Sequence, residues 1–214
     1  MVTGVLVSHC VFLVAISLCL SSATFSPLGG KGCCISPTWN GTLLYHEMRR
    51  YEGRPVEVDS FMAVVNMDFV TNRFSSRITE LSSYGASSAK WLISISNTSY
   101  EIHEREQTCK KTILSPPHRF CLPESIQSLG GFVYGSGPET FHAFLYKFEN
   151  NDIETIVTLK EDDCFPISLV QTFGHGRNTP GTSTTVFTDL STELDERALL
   201  LPAYCLDEDH IPTN

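Results

Sequence analysis

Residues 139–160 read ETFHAFLYKFENNDIETIVTLK. In an extended chain Phe141, Ala143 and Leu145 project to one side and Phe144, Tyr146 and Phe148 to the other, because side chains alternate with a period of two. The run Glu149-Asn150-Asn151-Asp152 carries the polar residues of a tight turn. Beyond it Thr155, Val157 and Leu159 alternate with Glu154, Thr158 and Lys160, so the second arm has one wetter face. The unit is a β-hairpin, and its first arm is apolar on both faces.

The same pattern extends in both directions. Short runs rich in Val, Ile, Phe, Tyr and Thr recur at 42–50, 56–70, 74–81, 91–97, 99–104, 131–134, 165–173 and 184–190, separated by turn residues. In 61–70 both faces are again apolar: Phe61, Ala63, Val65, Met67 and Phe69 on one, Met62, Val64 and Val70 on the other. The expected fold is all-β, two stacked or curled antiparallel sheets. Period alone leaves open whether the space between them is filled or is an apolar cleft. The Gly-rich stretch 174–183 reads as a loop, and 191–201 as one short C-terminal helix stopped by Pro202.

The N-terminus assigns the compartment. Val11 to Leu20 is almost wholly apolar and is followed by Ser21, Ser22 and Ala23, a cleavable signal peptide over 1–23. The apolar run is half the roughly 20 residues that a membrane-crossing helix needs, and no later segment approaches that length. The expectation is a secreted, extracellular protein that does not span a membrane, with a single domain over 24–214. A net charge of -9 argues against nucleic acid or anionic membranes as partners and leaves cations open.

Cys10 and Cys19 fall in the leader, leaving Cys33, Cys34, Cys109, Cys121, Cys164 and Cys205. An even set in an exported chain reads as disulfides, and spacing does not choose their pairing. Asn40-Gly41-Thr42 and Asn97-Thr98-Ser99 are glycosylation sequons. No GxSxG elbow, HExxH helix, Walker loop or dinucleotide loop occurs, and the histidines are scattered, so a non-enzyme is expected. Acidic residues offer hard oxygen ligands for calcium. The candidate group is Asp189, Glu193 and Asp195, with Glu161-Asp162-Asp163 and Asp207-Glu208-Asp209 as further acidic runs.

The contexts of the cysteines carry a resemblance. Cys34-Ile35-Ser36-Pro37 followed by Trp39, Gly41 and Tyr45 looks like the opening CxxP, Trp, Gly, Tyr pattern of the ependymin-related secreted glycoproteins. Thr108-Cys109-Lys110-Lys111 is similar to that family's second cysteine site. Asp163-Cys164-Phe165-Pro166-Ile167 resembles its DCYPV motif, and Phe187-Thr188-Asp189, continuing through Pro202 to Cys205, its closing segment. The motifs occur in order across most of the mature chain.

The resemblance implies a fold like that of bacterial lipoprotein carriers, a half-barrel curled around an apolar cleft, with homodimers, calcium association and lipid-like ligands. It also implies pairing of Cys34 with Cys164 and of Cys109 with Cys205. Parity then leaves Cys33 with Cys121, although the adjacent Cys33 and Cys34 leave open which of them takes which partner. The expected function is a non-enzymatic carrier of a fatty acid or other hydrophobic molecule, with Phe61, Val65, Phe69, Trp91, Ile93, Phe141, Leu145 and Val157 as pocket candidates. The rival is a calcium-dependent extracellular matrix or cell-adhesion glycoprotein.

Overall fold

Eleven strands run antiparallel in one open sheet in the computed structural model, which describes residues 33–82, 85–113, 119–122, 126–138, 140–150, 152–174 and 180–206. The expected leader, residues 175–179 of the expected loop and the acidic run 207–209 lie outside the described residues. In chain order the strands are β1 (Thr38–Arg49), β2 (Glu57–Asp68), β3 (Arg73–Ser82), β4 (Gly85–Ile95), β5 (Thr98–His103), β6 (Thr108–Ile113), β7 (Gln127–Tyr134), β8 (Phe141–Asn150), β9 (Ile153–Lys160), β10 (Pro166–Phe173) and β11 (Gly181–Ser191). Their order across the sheet is β6-β5-β4-β3-β2-β1-β11-β10-β9-β8-β7.

The all-β class is as read from the alternation, but the two expected sheets are halves of one. Strands β1 to β6 form one meander and β7 to β11 another, each strand pairing with the next in sequence. β1 then pairs with β2 on one side and β11 on the other, so that Tyr45 stands opposite both Phe61 and Thr185. That pairing fuses the meanders. Asn72 and Asp152 take left-handed backbone in their hairpin turns, with φ of 54° and 64°, a conformation that Asn and Asp tolerate better than most residues.

A single layer encloses one of its faces only if it bends. Register shifts within the β1–β11, β3–β4, β7–β8 and β9–β10 ladders are β-bulges, which bend and twist the strands that carry them. Gly41 serves the same close packing: a Cβ there would sit 2.7 Å from Leu190 Cδ2 and 3.1 Å from the Thr188 carbonyl oxygen.

The C-terminal helix expected over 191–201 is reduced to two 3-10 turns, Glu196–Leu199 and Ala203–Cys205. Asp195 caps the first by accepting from the Arg197 and Ala198 amides at 3.0 and 3.3 Å. Pro202 disfavours helical backbone in the residue before it, and Leu200 has already left it, with ψ of 132°. The segment is fastened to the sheet at several points. The Asp195 amide donates to Asn66 Oδ1 at 3.0 Å, Asn40 Nδ2 donates to the Glu193 carbonyl, Arg73 pairs with Glu196, and Cys205 is bonded to Cys109.

Candidate functional site

The register defines one face of the sheet row by row. Phe61, Tyr45, Thr185, Leu169, Val157 and Tyr146 stand side by side across β2, β1, β11, β10, β9 and β8. On this face lie two buried apolar clusters. One is built on β1 to β4 from residues that include Trp39, Leu43, Phe61, Ala63, Val65, Met67, Phe74 and Leu92. The other is centred on Val157 and Leu159, with Tyr146, Phe148 and Leu169 against it. We call this the inner face.

A strap of two short segments covers it. The Ile35 amide donates to the Phe120 carbonyl at 3.0 Å and the Leu122 amide to the Cys33 carbonyl at 2.9 Å, which sets Cys34 directly opposite Cys121. Ile35 packs into the first cluster, Leu122 into the second, and Phe120 touches both. Disulfides join Cys34 to Cys121, with Cα atoms 3.9 Å apart, and Cys33 to Cys164, at 5.6 Å.

This corrects the expected pairing of Cys34 with Cys164 and Cys33 with Cys121. Neighbours in an extended segment point to opposite sides. Once Cys34 faces Cys121 within the strap, Cys33 is turned away from it, towards the turn that carries Cys164. The third bond, Cys109 with Cys205, is present as the resemblance implied.

One row of the inner face is polar. Asp59, Glu47, Ser183, Gln171 and Thr155 align across β2, β1, β11, β10 and β9, and all but Asp59 are buried. The Glu47 carboxylate accepts from Tyr45 Oη at 2.5 Å and from Arg49 Nε. Burial, followed by the hydrogen bond to Glu47, pushes the Tyr45 phenol well above its ordinary pKa. The hydrogen bond from Arg49 to Glu47 likewise raises the guanidinium. A buried carboxylate needs such partners, since an unpaired buried charge is far costlier than an unpaired neutral group.

Two neutral donors on this face have none. Trp39 Nε1 and Ser76 Oγ are buried without a hydrogen-bond partner among the described residues, as is Trp91 Nε1 on the opposite face. Leaving such a group unmatched costs about 1–3 kcal/mol.

The eight pocket candidates divide between the two faces. Phe61, Val65, Phe69 and Val157 belong to the inner-face clusters. Trp91 and Ile93 belong to a third cluster on the opposite face, with Ile102, Cys109, Cys205, Leu201 and Tyr204, beneath the C-terminal segment. The Arg77 guanidinium lies 4.4 Å above the Trp91 ring. Phe141 and Leu145 also lie on the opposite side of β8 from Phe144, Tyr146 and Phe148, and Phe141 stacks on Tyr134 at 5.3 Å. A single pocket lined by all eight is therefore ruled out by the parity of the strands.

Trp39, Tyr45, Glu47, Ser76 and the strap residues Ile35, Phe120 and Leu122 were not among the candidates. The parity of Trp39, Leu43, Tyr45 and Glu47 was readable, but Leu44 and Met48 give β1 a second apolar face, which disguised the inner one.

Asp189, Glu193 and Asp195 are not gathered into a metal site. Asp195 is used as a cap, and Asp189 Oδ2 accepts from its neighbour Thr188 Oγ1 at 3.2 Å. Among the described residues no group of three or more His, Cys, Asp or Glu side chains is placed to hold a metal ion. Of the sequons, Asn97 is exposed in the β4–β5 turn, whereas Asn40 lies half-buried within β1, its amide nitrogen engaged by Glu193.

Fold and site together define an open, single-layer antiparallel β protein whose inner face is enclosed by a disulfide-pinned strap. No protein-family model matches the chain, and no curated protein matches it. Among solved structures it is similar to an uncharacterized conserved protein from Thermus thermophilus, at 12% identity over 95% of this chain and 97% of that one, with a TM-score of 0.48. It is also similar to a LolA-superfamily protein from Nitrosomonas europaea, at 6% identity over 76% and 90% of the two chains and a TM-score of 0.33. A DUF1329 family protein from Desulfovibrio piger matches at 8% identity over 96% and 98%, with a TM-score of 0.32. At these values no activity passes from them to this chain.

Proposed function

We propose that this chain is an exported, non-enzymatic carrier that holds a hydrophobic molecule of the fatty-acid or lipid class against the inner face of its sheet. One observation carries the reading. Two apolar clusters on one face of the sheet, one on β1 to β4 and one on β8 to β10, are bridged by Phe120 and covered, among the described residues, by a short strap and not by a second sheet, and two disulfides pin that strap at Cys33 and Cys34. An acyl chain laid along such a face is held by loss of contact with water, at about 25 cal/mol per Å² of apolar surface buried. No nucleophile or base has to act.

The disulfides suit an oxidising compartment, and no helix among the described residues is long and apolar enough to cross a membrane. The cysteine-centred resemblance to the ependymin-related glycoproteins supports the same class of ligand, although the bond from Cys164 goes to Cys33 and not to Cys34.

Native mass spectrometry of the secreted protein, before and after delipidation, tests the reading. The expected result is a bound mass in the acyl-lipid range that is lost on delipidation and regained on adding palmitate. A protein that copurifies with no lipid and rebinds none overturns it.

A further inference from the structure

We propose that the molecule held on the inner face is an acyl amphiphile, and that Trp39 and Ser76 donate hydrogen bonds to its carboxylate or ester oxygen. The inference rests on the carrier reading above and gives it a ligand chemistry. Trp39 stands on β1 opposite Met67, and Ser76 on β3 opposite Val65. Val65 and Met67 lie on β2 between them, and alternation puts all four on the inner face.

Ser76 is fully buried and Trp39 is 5% exposed, yet Nε1 and Oγ meet no acceptor among the described residues. The side chains opposite them are apolar or nearly so: Val65 and Leu92 flank Ser76, and Met67, whose thioether is only a weak acceptor, stands opposite Trp39. Glu47, the buried carboxylate of this face, is already engaged by Tyr45 and Arg49.

Packing alone does not call for these two residues. Ala at 76 would fill nearly the same space with no polar atom to bury, and an apolar aromatic at 39 would keep most of the ring packing without the N–H. An indole N–H donates and cannot accept, and a hydroxyl does both. The pair therefore matches an uncharged or anionic oxygen and does not suit an ammonium head, which brings only donors. A plain hydrocarbon would leave both groups unmatched. Free fatty acids and acyl esters share the required oxygen.

The test uses the full-length, oxidised, delipidated protein and equilibrium binding of radiolabelled palmitate, methyl palmitate and hexadecane, which share one chain length. Wild-type protein is expected to bind one or both acyl probes about tenfold more tightly than hexadecane. Ser76→Ala is expected to weaken acyl binding about five- to tenfold while leaving hexadecane unchanged, and Trp39→Phe to weaken acyl binding by a larger factor than hexadecane binding. Preference for palmitate over methyl palmitate assigns a carboxylate, and equal binding assigns the carbonyl.

Ser76→Ala removes one oxygen and is expected to melt at or above the wild-type temperature, so it carries the test if Trp39→Phe folds poorly. Hexadecane bound as tightly as the acyl probes, acyl affinities unchanged in the variants, or all probes weakened alike would overturn the inference while leaving a carrier in place. Binding of none of the probes would remove the carrier reading and this one with it.

Discussion

Asp68 closes β2 as a nearly sealed carboxylate that collects more hydrogen bonds than any other side chain described above. Its Oδ1 accepts from the Val70 and Thr71 amides at 3.0 and 3.1 Å, and its Oδ2 from Thr71 Oγ1 and from Arg73 Nη2 at 2.8 Å. Burial acts to raise its pKa, but the bonds from Thr71, Arg73 and the two amides outweigh it and hold the carboxyl at about 2, below the usual 3.8. A depressed pKa in the folded state means that ionised Asp68 stabilises the fold. That contribution is fully present above the unfolded value and is lost as pH falls from there through about 2. A shift of this size amounts to roughly 2 kcal/mol. Urea unfolding at pH 6 and pH 2 should show Asp68→Asn less stable at pH 6 and free of this part of the acid loss. An identical acid loss in variant and wild type would assign it to other carboxylates. Arg73 also holds Glu196 at 2.8 Å, so the same variant is expected to loosen the first 3-10 turn.

The strap is the element whose chemistry most needs a direct test, because two adjacent cysteines leave the partners of Cys164 and Cys121 open in the sequence. With the bonds as placed, Cys34→Ser/Cys121→Ser deletes one whole disulfide. The purified protein is expected to show no free thiol and to lose about 4.6 kcal/mol of stability at most, the scale for closing a loop with a sequence separation of 87. Cys33→Ser/Cys121→Ser instead breaks two bonds, and is expected to expose reactive thiols at Cys34 and Cys164 under a thiol-counting reagent. The opposite pattern would restore the pairing implied by the resemblance. How far the elements could be read in advance has a physical basis. Strands such as β9, bounded by a polar turn and by Glu161-Asp162-Asp163, were legible because both the alternation and its punctuation are local. The strand β6 was not foreseen: Thr108–Ile113 carries Lys110 and Lys111 and little apolar patterning, and it is held by its pairing with β5 and by Cys205. Likewise the choice of inner face was hidden. Leu44, Val64, Phe141 and Leu145 make the outer face apolar too, and only the register and the strap distinguish the sides. The unmatched donors Trp39 and Ser76 were hidden for a related reason, since whether a donor is satisfied depends on strands distant in sequence.

At the scale of the whole molecule, the sheet ends in two unlike edges and is fastened at three covalent points. The β6 edge carries Lys110 and Lys111, charges that discourage further strand pairing, and Cys109–Cys205 ties the C-terminal segment to it. The β7 edge, residues Gln127–Tyr134, has no charge and is exposed along its whole length. The other two disulfides both act on the strap, Cys33–Cys164 tying it to the turn after β9 and Cys34–Cys121 joining its two segments. Since Phe120 touches both inner-face clusters, the strap is the part that must shift for a molecule to leave that face. On the carrier reading, opening is then a local event whose frequency is set by the strap and not by global unfolding. Cys34→Ser/Cys121→Ser should therefore accelerate palmitate release by roughly tenfold or more while changing the association rate far less, since interface changes act mainly on dissociation. The measurement is release of preloaded radiolabelled palmitate into excess vesicles. Cys109→Ser/Cys205→Ser is the control, because it removes a disulfide that lies on the opposite face and is expected to leave the release rate near wild type. Equal acceleration by both variants would mean that general destabilisation, and not the strap, governs release.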